Sequence, residues 1–279
     1  MPKIITSEDQ LRSHLPNIVQ TVKGERPYLT ALSNYLDLAE EWVITNITSK
    51  LVFDTITYLK DENEVKKVTS RLVLTEALRK AIPSLDIVLT PNGFGIVNSS
   101  NISPASKPRV DRLIGAMTSQ RDECIAALLK LLIHYDDWIV SDQGKYFGET
   151  LFPNLNVVDT IGWSSDSKWD KYQELHSQIF DLEASLAEEW FSPELMTQLR
   201  SENLRSNLTI PRLSTVLGIK SQIVNYLKGG TFNSRRLMDI VNNIRQRSED
   251  FPEWHSSETA KLFAPPVFRN VKKSAGYFF

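Results

Sequence analysis

The chain has 279 residues, a formal net charge of −2, 41% hydrophobic and 24% charged residues. This composition excludes a disordered chain, and the length allows one large domain or two of ordinary size whose core needs neither metal nor disulfide. The near-neutral charge excludes a global pull towards nucleic acid or acidic membranes, the lone Cys124 excludes an intrachain disulfide, and no apolar run approaches the ~18 residues of a membrane-spanning helix.

The first residues carry acids where a signal peptide is apolar, so a cytosol-like compartment is expected. Ser7 with Gln10 reads as a capping box that opens a short helix ending before Pro16. Pro27-Tyr28 opens a longer amphipathic helix on Leu29, Leu32, Leu36, Ala39 and Val43. A further helix starts near Lys50 and breaks at the charged turn Lys60–Glu64. Val65 to Ile82 is another helix, ended by Pro83.

Asp86–Thr90 and Phe94–Val97 are short β-type runs around Pro91-Asn92-Gly93, where Pro presets one turn dihedral and Asn-Gly supplies positive φ. A β-hairpin is expected over 86–97. A long helix follows from Val110 to Ile133, with Cys124 as a small buried hydrophobe. Residues 141–167 interrupt every periodic pattern yet carry Tyr146, Phe147, Leu151, Phe152, Val157, Val158, Ile161 and Trp163. They read as a loop-rich connection that docks on something. Helical patterns resume over Trp169–Arg200, Ile210–Leu227 and Ser234–Arg247, and Pro252 to Phe279 is largely non-periodic.

The fold class is therefore mainly α: a helical bundle with one β-hairpin insertion, and an internal echo that points to two related helical subdomains. The expected division is 1–140 with the hairpin, a connection at 141–167, a second subdomain at 168–250 and an extended tail at 251–279. The echo is Ala-Glu-Glu-Trp, at Ala39–Trp42 and again at Ala187–Trp190, which aligns Leu38 with Leu186. A period of about 148 residues is too long for a solenoid unit.

No constellation for catalysis or metal binding stands out, and no cofactor is expected. His14, His134, His176 and His255 are scattered, and His134-Tyr135-Asp136-Asp137 reads as a polar helix terminus. Glu40-Glu41 and Glu188-Glu189 read as solvated faces. No phosphate loop, nucleophile elbow or paired-cysteine pattern is present. One DNA-binding alternative exists at 206–228. Leu213, Leu217, Ile219, Val224 and Leu227 would form the core of a helix-turn-helix, Gly218 its turn, and Ser221, Gln222, Asn225 and Lys228 its reading face.

Protein partners are favoured instead. A lone hairpin is marginal in water and lends its edges to a neighbour, which marks Pro91, Asn92, Gly93 and Phe94. The tail is rich in aromatics, and Pro265-Pro266 stiffens it, which marks Phe263, Phe268, Tyr277, Phe278 and Phe279 as contacts for another chain.

The opening Met1–Arg12, the Leu89–Val97 hairpin with Pro104-Ala105-Ser106-Lys107, and the ending Gly276–Phe279 resemble a family encoded by phages and prophages of gut Bacteroidales. The order helices, hairpin, helix also resembles head–tail connector (adaptor) proteins of tailed phages, which are usually about half this length. That resemblance implies a structural protein of the virion neck, assembled in the bacterial cytoplasm. It would form a ring, commonly of twelve subunits, beneath the portal protein and above the tail proteins. DNA would pass through without specific binding, as a lumen lacking basic excess allows. No membrane is involved.

Overall fold

The structure is a computed structural model that describes residues 3–14, 27–85, 87–90, 93–96, 106–162 and 166–264. The fold is mainly helical. In chain order it contains α1 (Glu8–His14), α2 (Tyr28–Val43), a first π-turn (Ile44–Thr48), α3 (Lys50–Thr57) and α4 (Glu64–Ala81). After two short strands come α5 (Lys107–Leu132), α6 (Asp136–Ile139), α7 (Asp142–Gly148) and α8 (Asn156–Ile161). Then follow α9 (Lys168–Leu186), a second π-turn (Ala187–Phe191), α10 (Pro193–Leu204), α11 (Ile210–Leu227), α12 (Ser234–Arg245), α13 (Pro252–His255) and α14 (Glu258–Leu262).

The helices form where periodicity and caps agree. Asn63 opens α4 by accepting the Val65 and Lys66 amides, and Leu72, Val73, Leu74 and Ala77 are fully buried, so α4 runs through the core. In the first helix Ser7 accepts the Gln10 amide, as a capping box requires, but Gln10 reaches back to the Thr6 amide at 2.9 Å.

Strands β1 (Ile87–Thr90) and β2 (Gly93–Ile96) pair antiparallel, with Leu89 opposite Phe94 and Thr90 opposite Gly93. A hairpin insertion as an architectural element is not supported. Among the described residues these short strands pair with no third strand, and their turn residues Pro91 and Asn92 lie outside the described residues.

Two further expectations are corrected. Residues 141–167 are not a loop-rich connection: α7 and α8 run through them, and Phe147, Leu151, Val157 and Val158 sit in the core. Trp163 lies outside the described residues. The stretch after Pro252 is not uniformly irregular, because it forms α13 and α14. Buried side chains from both halves of the chain join one hydrophobic cluster.

The second half repeats the devices of the first in order. The helix pairs α2–α3 and α9–α10 are each joined by a five-residue π-turn and a serine in a rare backbone conformation, Ser49 at φ 69° and Ser192 at φ 66°. Each serine accepts the amide three residues on, at Val52 and Leu195. Each long helix carries a buried glutamate that accepts the amide of an upstream residue outside any helix, Glu40 from Ile4 at 2.9 Å and Glu183 from Leu151 at 2.8 Å.

Each π-turn is pinned by an indole. Trp138 donates to the Ile47 carbonyl at 2.7 Å, and Trp254 donates to the Trp190 carbonyl at 3.0 Å. Both tryptophans stand third in a four-residue helix. A serine follows each, Ser141 or Ser257, donating back to the tryptophan carbonyl at 2.6 Å and capping the next short helix. An aromatic ring then returns onto each indole, Phe147 at 6.0 Å and Phe263 at 6.1 Å between centroids.

The Ala-Glu-Glu-Trp echo is out of register with this repeat. Ala39–Trp42 lies inside α2, whereas Ala187–Trp190 forms the second π-turn, whose counterpart is Ile44–Ile47.

Candidate protein–protein interface

The residues expected to carry contacts fall into three groups. Gly93 and Phe94 are in β2, where their backbones pair with Thr90 and Leu89. Phe263 packs within its own chain, its ring 5.7 Å from that of Trp190 and 6.1 Å from that of Trp254. Pro91, Asn92, Phe268, Tyr277, Phe278 and Phe279 lie outside the described residues.

The helix-turn-helix expectation is overturned. Ile210–Leu227 is one unbroken helix, α11. Gly218 makes no turn: a Cβ there would lie 2.8 Å from Ile240 Cδ1, so the glycine lets α12 approach α11 closely. Two of the four supposed reading residues serve the fold, while Ser221 and Lys228 are exposed. Gln222 is buried and accepts the Asn233 amide at 2.9 Å, and Asn225 donates to the Thr231 carbonyl at 2.7 Å.

The buried polar groups are also structural in geometry. Cys124 is buried and its thiol is pushed up to about 11 by burial, which leaves almost no thiolate at neutral pH. His176 stacks on Tyr146 with centroids 4.0 Å apart and bonds the Tyr146 carbonyl at 2.9 Å. Burial lowers its pKa, which favours the neutral ring. On the surface, exposed Asp136 pairs with Arg205 at 3.0 Å. Among the described residues, no group of three or more His, Cys, Asp or Glu is placed to hold a metal ion.

Glu183 is the most perturbed carboxylate. Burial raises its pKa from 4.5 to about 7, against the opposing pull of Arg200 at 2.8 Å and the Leu151 amide. At the α4–α5 contact, buried Glu76 is held by Arg79 at 2.8 Å and faces Arg121 at 3.7 Å. Arg121 pairs with Asp122 at 2.9 Å and donates to Ser167 Oγ at 2.6 Å, while Asp122 accepts the Lys168 amide at 2.6 Å. This cluster joins the two halves at the start of α9.

The surface holds a feature that pattern reading missed. α11 buries Val216, Ile219 and Ile223 on one side. Ile210, Leu213 and Leu217 lie on the other, and they are 86%, 43% and 57% exposed. At about 100° per residue the exposed set is centred roughly 120° around the helix from the buried one, so together they make most of its circumference apolar. A helix apolar on both sides is normally covered on both sides. Beside this stripe is a pocket of about 220 Å³ lined by Ile210, Pro211, Ser214, Ile240 and Phe251 among others.

The first half supplies an internal control. α4 answers α11, with caps Asn63 and Thr209 in matching places and Thr69, Val73 and Ala77 buried as Thr215, Ile219 and Ile223 are. At the positions of Ile210, Leu213 and Leu217, α4 carries Glu64, Lys67 and Arg71, all exposed. The apolar stripe is thus specific to the second half. Leu213 and Leu217 read as core in the helix-turn-helix pattern. The signal that would have found the stripe is the three- and four-residue spacing of Ile210, Leu213 and Leu217, which on a helix taken as continuous sets them on a separate side from Ile219 and Ile223.

Fold and surface together define a mainly helical protein with repeated internal devices and an uncovered apolar helix side. The profile of a protein family described as "Family of unknown function (DUF6712)" matches residues 27–148, which run from α2 to the end of α7. No curated protein and no solved structure matches the chain.

Proposed function

We propose that this chain is a structural subunit of a larger assembly, built from two related helical units. The observation that carries this reading is the exposed apolar side of α11, which the first half replaces with Glu64, Lys67 and Arg71. Uncovered apolar surface of this kind marks protein contacts.

The particular assembly proposed is the neck of a tailed-phage virion. There the chain is a head–tail connector that forms a ring between the portal protein and the tail. The sequence resemblance supports this identity. The continuous α11, with Gln222 buried, takes away the geometric ground for a DNA-reading role. Among the described residues, no helix is long and apolar enough to cross a membrane.

The test is mass photometry and electron microscopy of the full chain, alone and with a tailed-phage portal protein. A closed ring or a portal-bound complex with interfaces well above 1,000 Å² is the expected result. A strictly monomeric chain that never joins the portal and is absent from purified virions overturns the proposal.

A further inference from the structure

We infer that the apolar side of α11 receives residues 265–279 of a neighbouring copy of this chain. The inference rests on the assembly reading above and names the contact that would build it. Three features converge on this occupant.

The first is chemical fit. Ile210, Leu213 and Leu217 form a stripe about two turns long, and the adjoining pocket of about 220 Å³ has room for one aromatic side chain. Residues 265–279 supply Val267, Phe268, Tyr277, Phe278 and Phe279 within fifteen positions. The paired prolines at 265 and 266 lower the entropy lost when an extended segment docks.

The second is where that segment starts. Its root is fixed, because Phe263 is packed on Trp190 and Trp254. Beyond Ala264 the chain to Phe279 spans at most about 50 Å when extended, enough to cross onto an adjacent subunit.

The third is the asymmetry of the contact. The donor, residues 265–279, and the acceptor, the side of α11, are different surfaces of the chain, so the interface is heterologous, and heterologous contacts generate rings when the rotation closes. The root is also separated from Phe251, which lines the pocket, by only the two short helices α13 and α14. A segment able to reach the stripe of its own chain is one that copies exchange at little cost in contacts.

The experiment uses full-length chains with Cys124→Ser throughout. One preparation carries Leu213→Cys and another Phe268→Cys or Phe278→Cys. Mixed and oxidised, they are expected to give a disulfide-linked pair that neither preparation gives alone. A chain carrying both cysteines is expected to give a ladder of linked copies. If that chain instead gives only an internally linked monomer, or if no link forms in either arrangement, the inference is overturned.

A second arm separates the inference from the assembly reading. Leu213→Asp/Leu217→Asp and a truncation after Ala264 are expected to weaken self-association at least tenfold each, with helical content unchanged, and not to add when combined. Truncation that dissolves the assembly while Leu213→Asp/Leu217→Asp leaves it intact overturns the α11 contact and spares the assembly reading. A wild-type chain that never assembles overturns both.

Discussion

The two halves of this chain share their backbone devices and differ in where they place charge. In the first half the α4–α5 contact buries Glu76 and Arg121, and the outer side of α4 is Glu64, Lys67 and Arg71. In the second half the corresponding residues inside are Gln222 and Leu237, both buried, and outside they are Ile210, Leu213 and Leu217. The difference follows from what each half must touch. Arg121 and Asp122 reach Ser167 and the Lys168 amide, so the buried charge of the first half is the joint to the second. The second half keeps an uncharged interior there, with Met238 partly open to solvent where Asp122 has its counterpart.

The largest expected effect tests the devices the halves share. Trp138→Ala and Trp254→Ala each remove a buried indole and unpin a π-turn, and each is expected to cost about 3–5 kcal/mol in denaturant unfolding. Equal costs support equal roles. A variant near zero on either side breaks the comparison at that indole.

The joint is tested next. Arg121→Leu installs the residue of the second half and leaves Asp122 and part of Glu76 without their cation, so a loss of about 3 kcal/mol is expected. Adding Glu76→Gln, the other residue of the second half, is expected to recover part of that loss in a double-mutant cycle. If the pair simply adds, the two positions do not act as one contact.

The matched glutamates differ in degree. Glu183 has a folded pKa of about 7, above its ordinary 4.5, because burial penalises the charge. Its contribution is therefore fully present below about pH 4.5 and is lost as pH rises through about 7. Relative to Glu183→Gln, wild type is expected to lose about 3 kcal/mol or less between pH 4.5 and 8, read from urea midpoints. Burial also raises the pKa of Glu40, with the Ile4 amide and Lys3 opposing. Glu40→Gln is expected to show the same sign and a smaller change.

Much of the helical fold was legible because long helices write their burial into their spacing. Leu32, Leu36, Ala39 and Val43 recur at helical steps and are buried at those positions. The short helices α6, α7, α8, α13 and α14 span too few turns to show a period, so 141–167 read as loop. The π-turns shift the helical phase without a proline or glycine to announce it. The repeat was visible only through a misleading identity of letters, because the true match conserves burial, a serine cap and an indole. Of the candidate interface, Phe263 was legible as an unusual aromatic, though its packing is within its own chain. The α11 stripe was hidden by Gly218, which suggests a turn in sequence and serves close packing on Ile240 in three dimensions.

The smallest expected effect concerns the serines that follow the π-turns. Ser49 and Ser192 sit at φ 69° and 66° with ψ 160° and 144°, a region that L side chains rarely adopt and that costs of order 1–3 kcal/mol. Both accept that strain while capping the next helix. Alanine keeps the Cβ and loses the cap, so Ser49→Ala and Ser192→Ala are each expected to cost about 1 kcal/mol. Glycine relieves the strain, loses the cap and raises the entropy of the unfolded chain, which leaves a net change within about 0.5 kcal/mol of zero. Thermal unfolding of the four variants reads this order directly. If glycine at either position destabilises more than alanine, the positive φ is not a strain there, and the shared conformation of the two turns rests on the caps alone.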